Sequence, residues 1–181
     1  MNIDRLFAPY KQTTTHLVDS LEYWSREKPD HLAYYFLRDG EQDEVPITYA
    51  DLHDAARAIA AQLAQYDVRG ERVLLLYGPG IEFLKGFLGC LYAGAIAVPA
   101  YPPRRNRSMN RIEAISDDAK PRVVFASQDV IDRTEPMLDD FPRLKAIPWI
   151  ATEHVPLELK DDWKKPILKG DDLAFLQYTS G

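Results

Sequence analysis

The first third of the chain shows helical and strand-like patterns of apolar residues in turn. Apolar residues at helical spacing over 14–28 predict a helix, which Pro29 ends. Aromatic and apolar residues over 31–37 and 45–47, separated by a polar turn, predict a β-hairpin with a long loop. The hydroxyl of Thr48 then caps a second predicted helix. The apolar stripe of that helix consists of Leu52, Ala55, Ala56, Ile59, Ala60 and Leu63.

From Gly70 onward, short apolar runs without alternation predict strands that are covered on both faces. These runs occupy residues 72–77, 95–98, 122–126 and 146–150. Helical patterns separate them over 81–92, over 110–118 and from 128, where Pro136 interrupts the helix. Gly86 and Gly89 predict a close approach of the first of these helices to the sheet. Strands that alternate with helices predict βαβ units with right-handed crossovers. The predicted fold class is α/β: a doubly wound parallel sheet flanked by helices, with an N-terminal helix and β-hairpin.

Length and composition indicate a single globular domain. The chain has 181 residues, of which 46% are hydrophobic and 28% charged. With 22 Lys and Arg against 28 Asp and Glu, the net charge of −6 argues against a general nucleic-acid or anionic-membrane binder. Cys90, the one cysteine, excludes an internal disulfide, and the four histidines lack metal-ligand spacing. No apolar run approaches the roughly 18 residues of a membrane span, so we expect a cytoplasmic protein.

Residues 171–181 hold the candidate chemistry. Two aspartates precede an apolar run that predicts a buried strand, and this strand ends in Thr179-Ser180-Gly181. In such a turn, backbone amides converge on an anion, hydroxyls add donors, and glycine leaves the approach open. Phosphate is the usual anion bound by a turn of this kind. Taken alone, the three residues fit an ordinary loop better than a phosphate site.

Longer stretches of the chain resemble a known family. Residues 176–181, LQYTSG, resemble the opening of the phosphate-binding loop of adenylate-forming enzymes, which continues with a hydroxyl residue, glycine, proline and lysine. Residues 48–52, TYADL, resemble the start of the family's first long helix. Residues 89–103, GCLYAGAIAVPAYPP, are most similar to the fatty acyl-AMP ligases, and residues 106–108 and Arg111 also suit that branch. The resemblance covers essentially the whole chain.

This resemblance implies an enzyme that activates a fatty acid with ATP and Mg²⁺ to an acyl-adenylate and pyrophosphate. The acyl group then passes to an acyl carrier protein, often in polyketide or lipopeptide biosynthesis. The resemblance assigns Thr179, Ser180 and Gly181 to the β- and γ-phosphates and gives Tyr178 the role of positioning the loop. It implies that residues 1–181 are the N-terminal subdomain of an AMP-binding domain, truncated inside the phosphate-binding loop. We expect this fragment to be inactive alone, without a catalytic residue, metal ligand or bound cofactor of its own.

A dense basic cluster suggests a contact with the carrier protein, because cations steer an acidic partner, although a solvated loop is the simpler interpretation. The cluster consists of Arg104, Arg105, Arg107 and Arg111.

Two alternatives stay open for the whole chain. One is a fragment of a fatty acyl-CoA synthetase, and the other is a non-catalytic remnant that acts as a binding or folding module. Apolar faces that would meet missing subdomains predict self-association.

Overall fold

The computed structural model describes residues 16–103 and 109–179. Its N-terminal elements match the predicted helix, hairpin and capped helix. The hydroxyl of Thr48 accepts a hydrogen bond from the backbone amide of Asp51 at 3.1 Å, as the capping pattern predicts. Of the predicted stripe, all residues but Ala55 are buried. These elements are α1 (Leu17–Glu27), β1 (Leu32–Leu37), β2 (Glu44–Thr48) and α2 (Tyr49–Leu63), with β1 and β2 antiparallel.

Four parallel strands form the main sheet in the order β4 (Ile96–Ala100), β3 (Arg72–Leu76), β5 (Val123–Ala126) and β6 (Trp149–Ala151). Gly94 ends the helix before β4 in the left-handed conformation, with φ 68°, which glycine adopts without strain. The interruption at Pro136 is confirmed, because the helix gives way there to a 3₁₀ segment, Glu135–Asp140. The elements are β3 (Arg72–Leu76), α3 (Ile81–Ala93), β4 (Ile96–Ala100), α4 (Asn110–Ala119), β5 (Val123–Ala126), α5 (Gln128–Thr134), α6 (Pro142–Lys145) and β6 (Trp149–Ala151).

Helices cover both faces of this sheet, which confirms the doubly wound prediction. On one face, Leu74 and Leu76 of β3 belong to a buried cluster with residues of α4 and α5. On the other face, Val73 and Leu75 pack in a cluster with residues of α2 and α3. Beyond α2 and α3, α1 and the hairpin add a further layer around Tyr92. The alternation of strand side chains between two apolar layers explains why these strands lack polar positions.

The two glycines of α3 serve different contacts. A Cβ on Gly86 would lie 3.1 Å from the ring and the hydroxyl of Tyr77, at the end of β3. A Cβ on Gly89 would lie only 2.3 Å from Cγ2 of Ile59, on α2. The predicted approach to the sheet is therefore right for Gly86 and wrong for Gly89, whose close contact is between two helices.

Side chains of α2 and α3 hold the segment that leads to the C-terminal residues. The indole of Trp163 donates to the carbonyl of Tyr92 at 3.0 Å, and the Tyr92 hydroxyl lies 2.8 Å from Nδ1 of His53. Burial lowers the pKa of His53 from its ordinary value, and the positive charge of Arg57 lowers it further. This histidine is therefore neutral at physiological pH. Neutral His53 and two aromatic rings thus fix the segment to the helical layer.

The terminal segment, residues 171–179, lies at the edge of the main sheet, beside β4. It pairs with β4 through a parallel bridge between Phe175 and Ala97, and the Leu176 amide donates to the Ala97 carbonyl at 2.8 Å. The predicted parallel neighbour is present, but the predicted burial is wrong, because Leu173 is 55% and Phe175 46% exposed. Only β4 pairs with this segment among the described residues, so its outer edge stays open.

Candidate functional site

A cleft of about 380 Å³ opens at the carboxyl ends of β3 and β4. Tyr77 follows β3, Tyr101 follows β4, Arg111 and Ile115 come from α4, and Tyr178 comes from the terminal segment. Ligands of open α/β sheets bind outside the carboxyl ends of the strands, because loops and helix starts converge there. The cleft therefore lies where the fold places a ligand, and it includes Tyr101 of the Tyr-Pro-Pro loop.

The terminal segment enters this cleft through Tyr178. The Tyr178 hydroxyl donates a hydrogen bond to the carboxylate of Asp118, near the C-terminal end of α4. This hydrogen bond raises the pKa of Tyr178, because the carboxylate stabilises the protonated phenol. Leu176 and Tyr178 also pack against the apolar cluster under α4. The residue that precedes Thr179 is thus tied to a helix with a buried apolar side.

Thr179, the first residue of the predicted phosphate site, follows directly and is exposed. Ser180 and Gly181 lie outside the described residues. The cleft itself suits an oxyanion, because the guanidinium of Arg111 and the carboxamide of Gln177 line it and are hydrogen-bond donors, whereas Thr179 is not among its lining residues. No group of three or more His, Cys, Asp or Glu side chains able to hold a metal ion occurs within 16–103 and 109–179. The described residues therefore contain no group of this kind that could bind Mg²⁺.

Tyr77, which lines the cleft, forms a buried hydroxyl pair with Thr152. The Tyr77 hydroxyl lies 2.6 Å from the Thr152 hydroxyl, and the two residues are 6% and 5% exposed. Burial raises the pKa of Tyr77, so its phenol stays protonated and the pair is neutral. Because Gly86 packs against the same ring, Tyr77 is held from both sides. This pair connects the end of β3 to the chain after β6.

Of the predicted basic cluster, the structure describes Arg111 alone. Arg111 lines the cleft and faces the same space as Tyr178. Arg104, Arg105 and Arg107 lie outside the described residues. The assignment of all four arginines to a carrier-protein contact stays a prediction.

Sequence reasoning missed Asp118, Tyr77 and Thr152. A signal for Asp118 was present, because Arg111, Ile115 and Asp118 are spaced by four and three residues and so share one face of α4. The pairing of Tyr77 with Thr152 spans 75 positions of the chain, and no local pattern predicts it.

Within the described residues, no helix has the length and apolarity needed to cross a membrane.

Comparison with known families shows which family the chain belongs to. The family model described as "AMP-binding enzyme" matches residues 21–181. The chain belongs to the AMP-binding enzyme family. The resemblance found in residues 48–52, 89–103 and 176–181 is thereby confirmed at the level of the family.

Relatives within the AMP-binding family include ligases of fatty acids. The chain is 40% identical over 172 residues to a medium-chain-fatty-acid–[acyl-carrier-protein] ligase from Moorena producens, covering 91% of this chain and 28% of that protein. It is 32% identical to a long-chain-fatty-acid–AMP ligase from Mycobacterium marinum, covering 92% of this chain and 27% of that protein. The chain therefore spans less than a third of the length of these relatives.

A solved member of the AMP-binding family has the same fold. The fatty acyl-adenylate ligase from L. pneumophila, in complex with acyl adenylate and pyrophosphate, matches with a TM-score of 0.84 and 38% identity. The match covers 94% of this chain and 29% of that one. The parallel sheet, its helical layers and the N-terminal helix and hairpin are thus the architecture of adenylate-forming enzymes.

Proposed function

We propose that this chain is the N-terminal subdomain of a fatty acyl-AMP ligase, which activates a fatty acid with ATP. The 40% identity to a fatty-acid ligase over 91% of the chain is the observation that carries the proposal. The donor groups at the carboxyl edge of the sheet support it, because charge builds on phosphoryl oxygens during adenylate formation. In this reaction the fatty-acid carboxylate attacks the α-phosphorus of ATP, the bond to the bridging oxygen breaks, and pyrophosphate leaves with the electron pair.

The residues of this chain contribute binding and orientation rather than bond making. The hydroxyls of Thr179 and Ser180 and the backbone at Gly181 form the first part of a cradle for the β- and γ-phosphates. Tyr178 positions this part of the loop. A Mg²⁺ ion bound in the whole enzyme would supply positive charge against the phosphates, and the described residues of this chain include no ligand group for it. Residues 1–181 alone form no acyl-adenylate, because the remainder of the loop and the C-terminal domain complete the site.

The acyl group then passes to the phosphopantetheine thiol of an acyl carrier protein. The thiol sulfur attacks the acyl carbon, AMP leaves with the electron pair, and the thiol proton goes to solvent. The carrier-protein specificity named for the Moorena producens relative supports this acceptor. The arginines at 104, 105 and 107 provide positive charge for an acidic carrier protein, which speeds the encounter at low salt.

A chimeric ligase tests this function. Residues 1–181 replace the matching part of the Moorena producens relative, and the product is incubated with ATP and decanoate. We expect acyl-adenylate and pyrophosphate, which mass spectrometry detects, whereas residues 1–181 alone give neither. A chimera that folds, as its circular dichroism shows, and still forms no adenylate from any fatty acid contradicts the proposal.

The acceptor is tested separately on the same chimera. Acyl-adenylate is formed first, and either coenzyme A or the carrier protein of the relative is then added. We expect acyl-carrier protein and little acyl-coenzyme A. Alanine at positions 104, 105 and 107 slows this transfer at low salt and leaves adenylate formation unchanged, whereas transfer to coenzyme A alone contradicts the proposed acceptor.

A further inference from the structure

We propose that Asp118 is a positioning residue for the phosphate-binding loop and acts through the hydroxyl of Tyr178. The proposal rests on the proposed function and assigns a role to a residue outside the loop motif. The hydrogen bond from Tyr178 to Asp118 joins the residue before Thr179 to α4. Asp118 therefore determines where the loop begins without contacting the phosphates itself.

The backbone alone holds the terminal segment weakly. Its hydrogen bonds to β4 both involve Ala97: the Ala97 amide donates to Ala174 at 3.0 Å, and the Leu176 amide donates to Ala97 at 2.8 Å. No backbone hydrogen bond beyond Leu176 joins the described residues of this segment to the sheet. The position of Thr179 therefore depends on the side chains that precede it.

The side chains of the terminal segment alternate between two faces. The ring centroids of Phe175 and Phe87, on α3, are 5.8 Å apart. Leu176 and Tyr178 pack on the opposite face, against the cluster under α4. This alternation is that of an extended strand. It brings the Tyr178 hydroxyl to Asp118, near the C-terminal end of α4.

Buried side chains fix α4 against the sheet. Ile112, Ile115 and Ala119 are buried in the sheet cluster, so the helix cannot rotate without losing this packing. Among the described residues, Tyr178 is the one hydrogen-bond partner of Asp118. Within the part of the chain that the structure describes, removal of this carboxylate therefore breaks no other side-chain hydrogen bond.

Electrostatics alone makes the opposite prediction, which allows a sharp test. A carboxylate near a phosphate site repels the anion, so removal of Asp118 would improve ATP binding if the charge were all that mattered. Positioning predicts that removal weakens ATP use, because the loop loses its support. Asp117 is the matched control: it is the neighbouring carboxylate, carries the same charge, and pairs with Arg143 at 3.1 Å instead.

Kinetics of the chimeric ligase provide the first measurement. We expect Asp118→Ala and Tyr178→Phe each to lower kcat/KM for ATP about fivefold, the effect of losing one exposed charge-assisted hydrogen bond. The double variant falls no further, Asp118→Asn recovers most of the loss because it keeps an acceptor, and Asp117→Ala stays within about twofold. The KM for the fatty acid is unchanged. An Asp118→Ala chimera with equal or higher kcat/KM for ATP overturns the proposal.

Hydrogen exchange on residues 1–181 provides the second measurement and requires no activity. Asp118→Ala and Tyr178→Phe speed exchange of the Leu176 amide about fivefold by freeing the segment, and Asp117→Ala does not. Equal exchange in all variants overturns the positioning role even when the chimera is active. An inactive parent chimera contradicts the proposed function instead, and the exchange result still decides whether Asp118 holds the segment.

Discussion

The close contact between α2 and α3 gives a strong prediction about stability. Gly89 on α3 faces Ile59 on α2, and a Cβ at position 89 would lie 2.3 Å from Cγ2 and 2.7 Å from Cβ of Ile59. Ordinary carbon contacts are about 3.5–4.0 Å, so Gly89→Ala requires a displacement of about 1.5 Å. We expect this substitution to destabilise the protein.

The magnitude follows from two opposing terms. Overpacking a buried site costs about 1–3 kcal/mol, and the upper end applies because Ile59 is 2% exposed and β-branched, which leaves it one favoured χ1 rotamer in a helix. Alanine in place of glycine within a helix contributes up to about 1 kcal/mol in the other direction. The net loss is about 2 kcal/mol in the free energy of unfolding, or about 4–8 °C in Tm for a domain of this size.

Urea unfolding followed by circular dichroism measures this loss. Gly78→Ala is the control, because a Cβ there meets no atom within 4 Å, and Gly86→Ala falls between the two, because its Cβ would lie 3.1 Å from Tyr77. Ile59→Ala combined with Gly89→Ala costs less than the sum of the single changes, since the clashing Cγ2 is gone. A Gly89→Ala protein as stable as the parent refutes the helix contact described above.

Three further predictions concern the buried hydroxyls and the sheet edge. Thr152→Val leaves the Tyr77 hydroxyl without its partner and lowers the free energy of unfolding by about 1–3 kcal/mol, which Tyr77→Phe restores in large part in the double variant. Burial raises the pKa of Tyr77 and of Tyr92 above the ordinary 10.0. The contribution of these two tyrosines to the free energy of unfolding is therefore fully present below about pH 10 and falls as the pH rises above it, because the phenols of the unfolded chain ionise first. A urea midpoint that stays constant between about pH 9 and 11 contradicts this. Serine in place of Leu173 and Phe175 reduces self-association in sedimentation experiments, since both side chains are exposed.

Local patterns were sufficient for most of the fold. The strand at Arg72–Leu76 is apolar on both sides because helices cover both faces, and this leaves a readable run in the sequence. Thr48 and Gly94 mark helix ends because an N-cap hydroxyl and a left-handed C-terminal residue are local requirements. The apolar run over 173–176 led to a wrong prediction, because its composition indicates burial, whereas among the described residues only β4 pairs with it.

The site was less predictable because its contacts join distant parts of the chain. Tyr178 meets Asp118 across 60 positions, and Gly89 meets Ile59 through a helix crossing that periodicity does not specify. Thr179 was assigned to the phosphate site because short motifs around phosphate-binding turns repeat within a family, and this assignment stays a prediction. The support beneath that motif depends on how α4 packs, which only the tertiary structure gives.

A structure of the chimeric ligase with pyrophosphate tests the central claim most directly. The claim is that the terminal segment, paired with β4 at the edge of the sheet, begins the cradle for the phosphate tail of ATP. The account predicts pyrophosphate within hydrogen-bond distance of the Thr179 and Ser180 hydroxyls, with Tyr178 still bonded to Asp118. Pyrophosphate bound at another edge of the sheet, with Thr179 and Ser180 facing solvent, contradicts it.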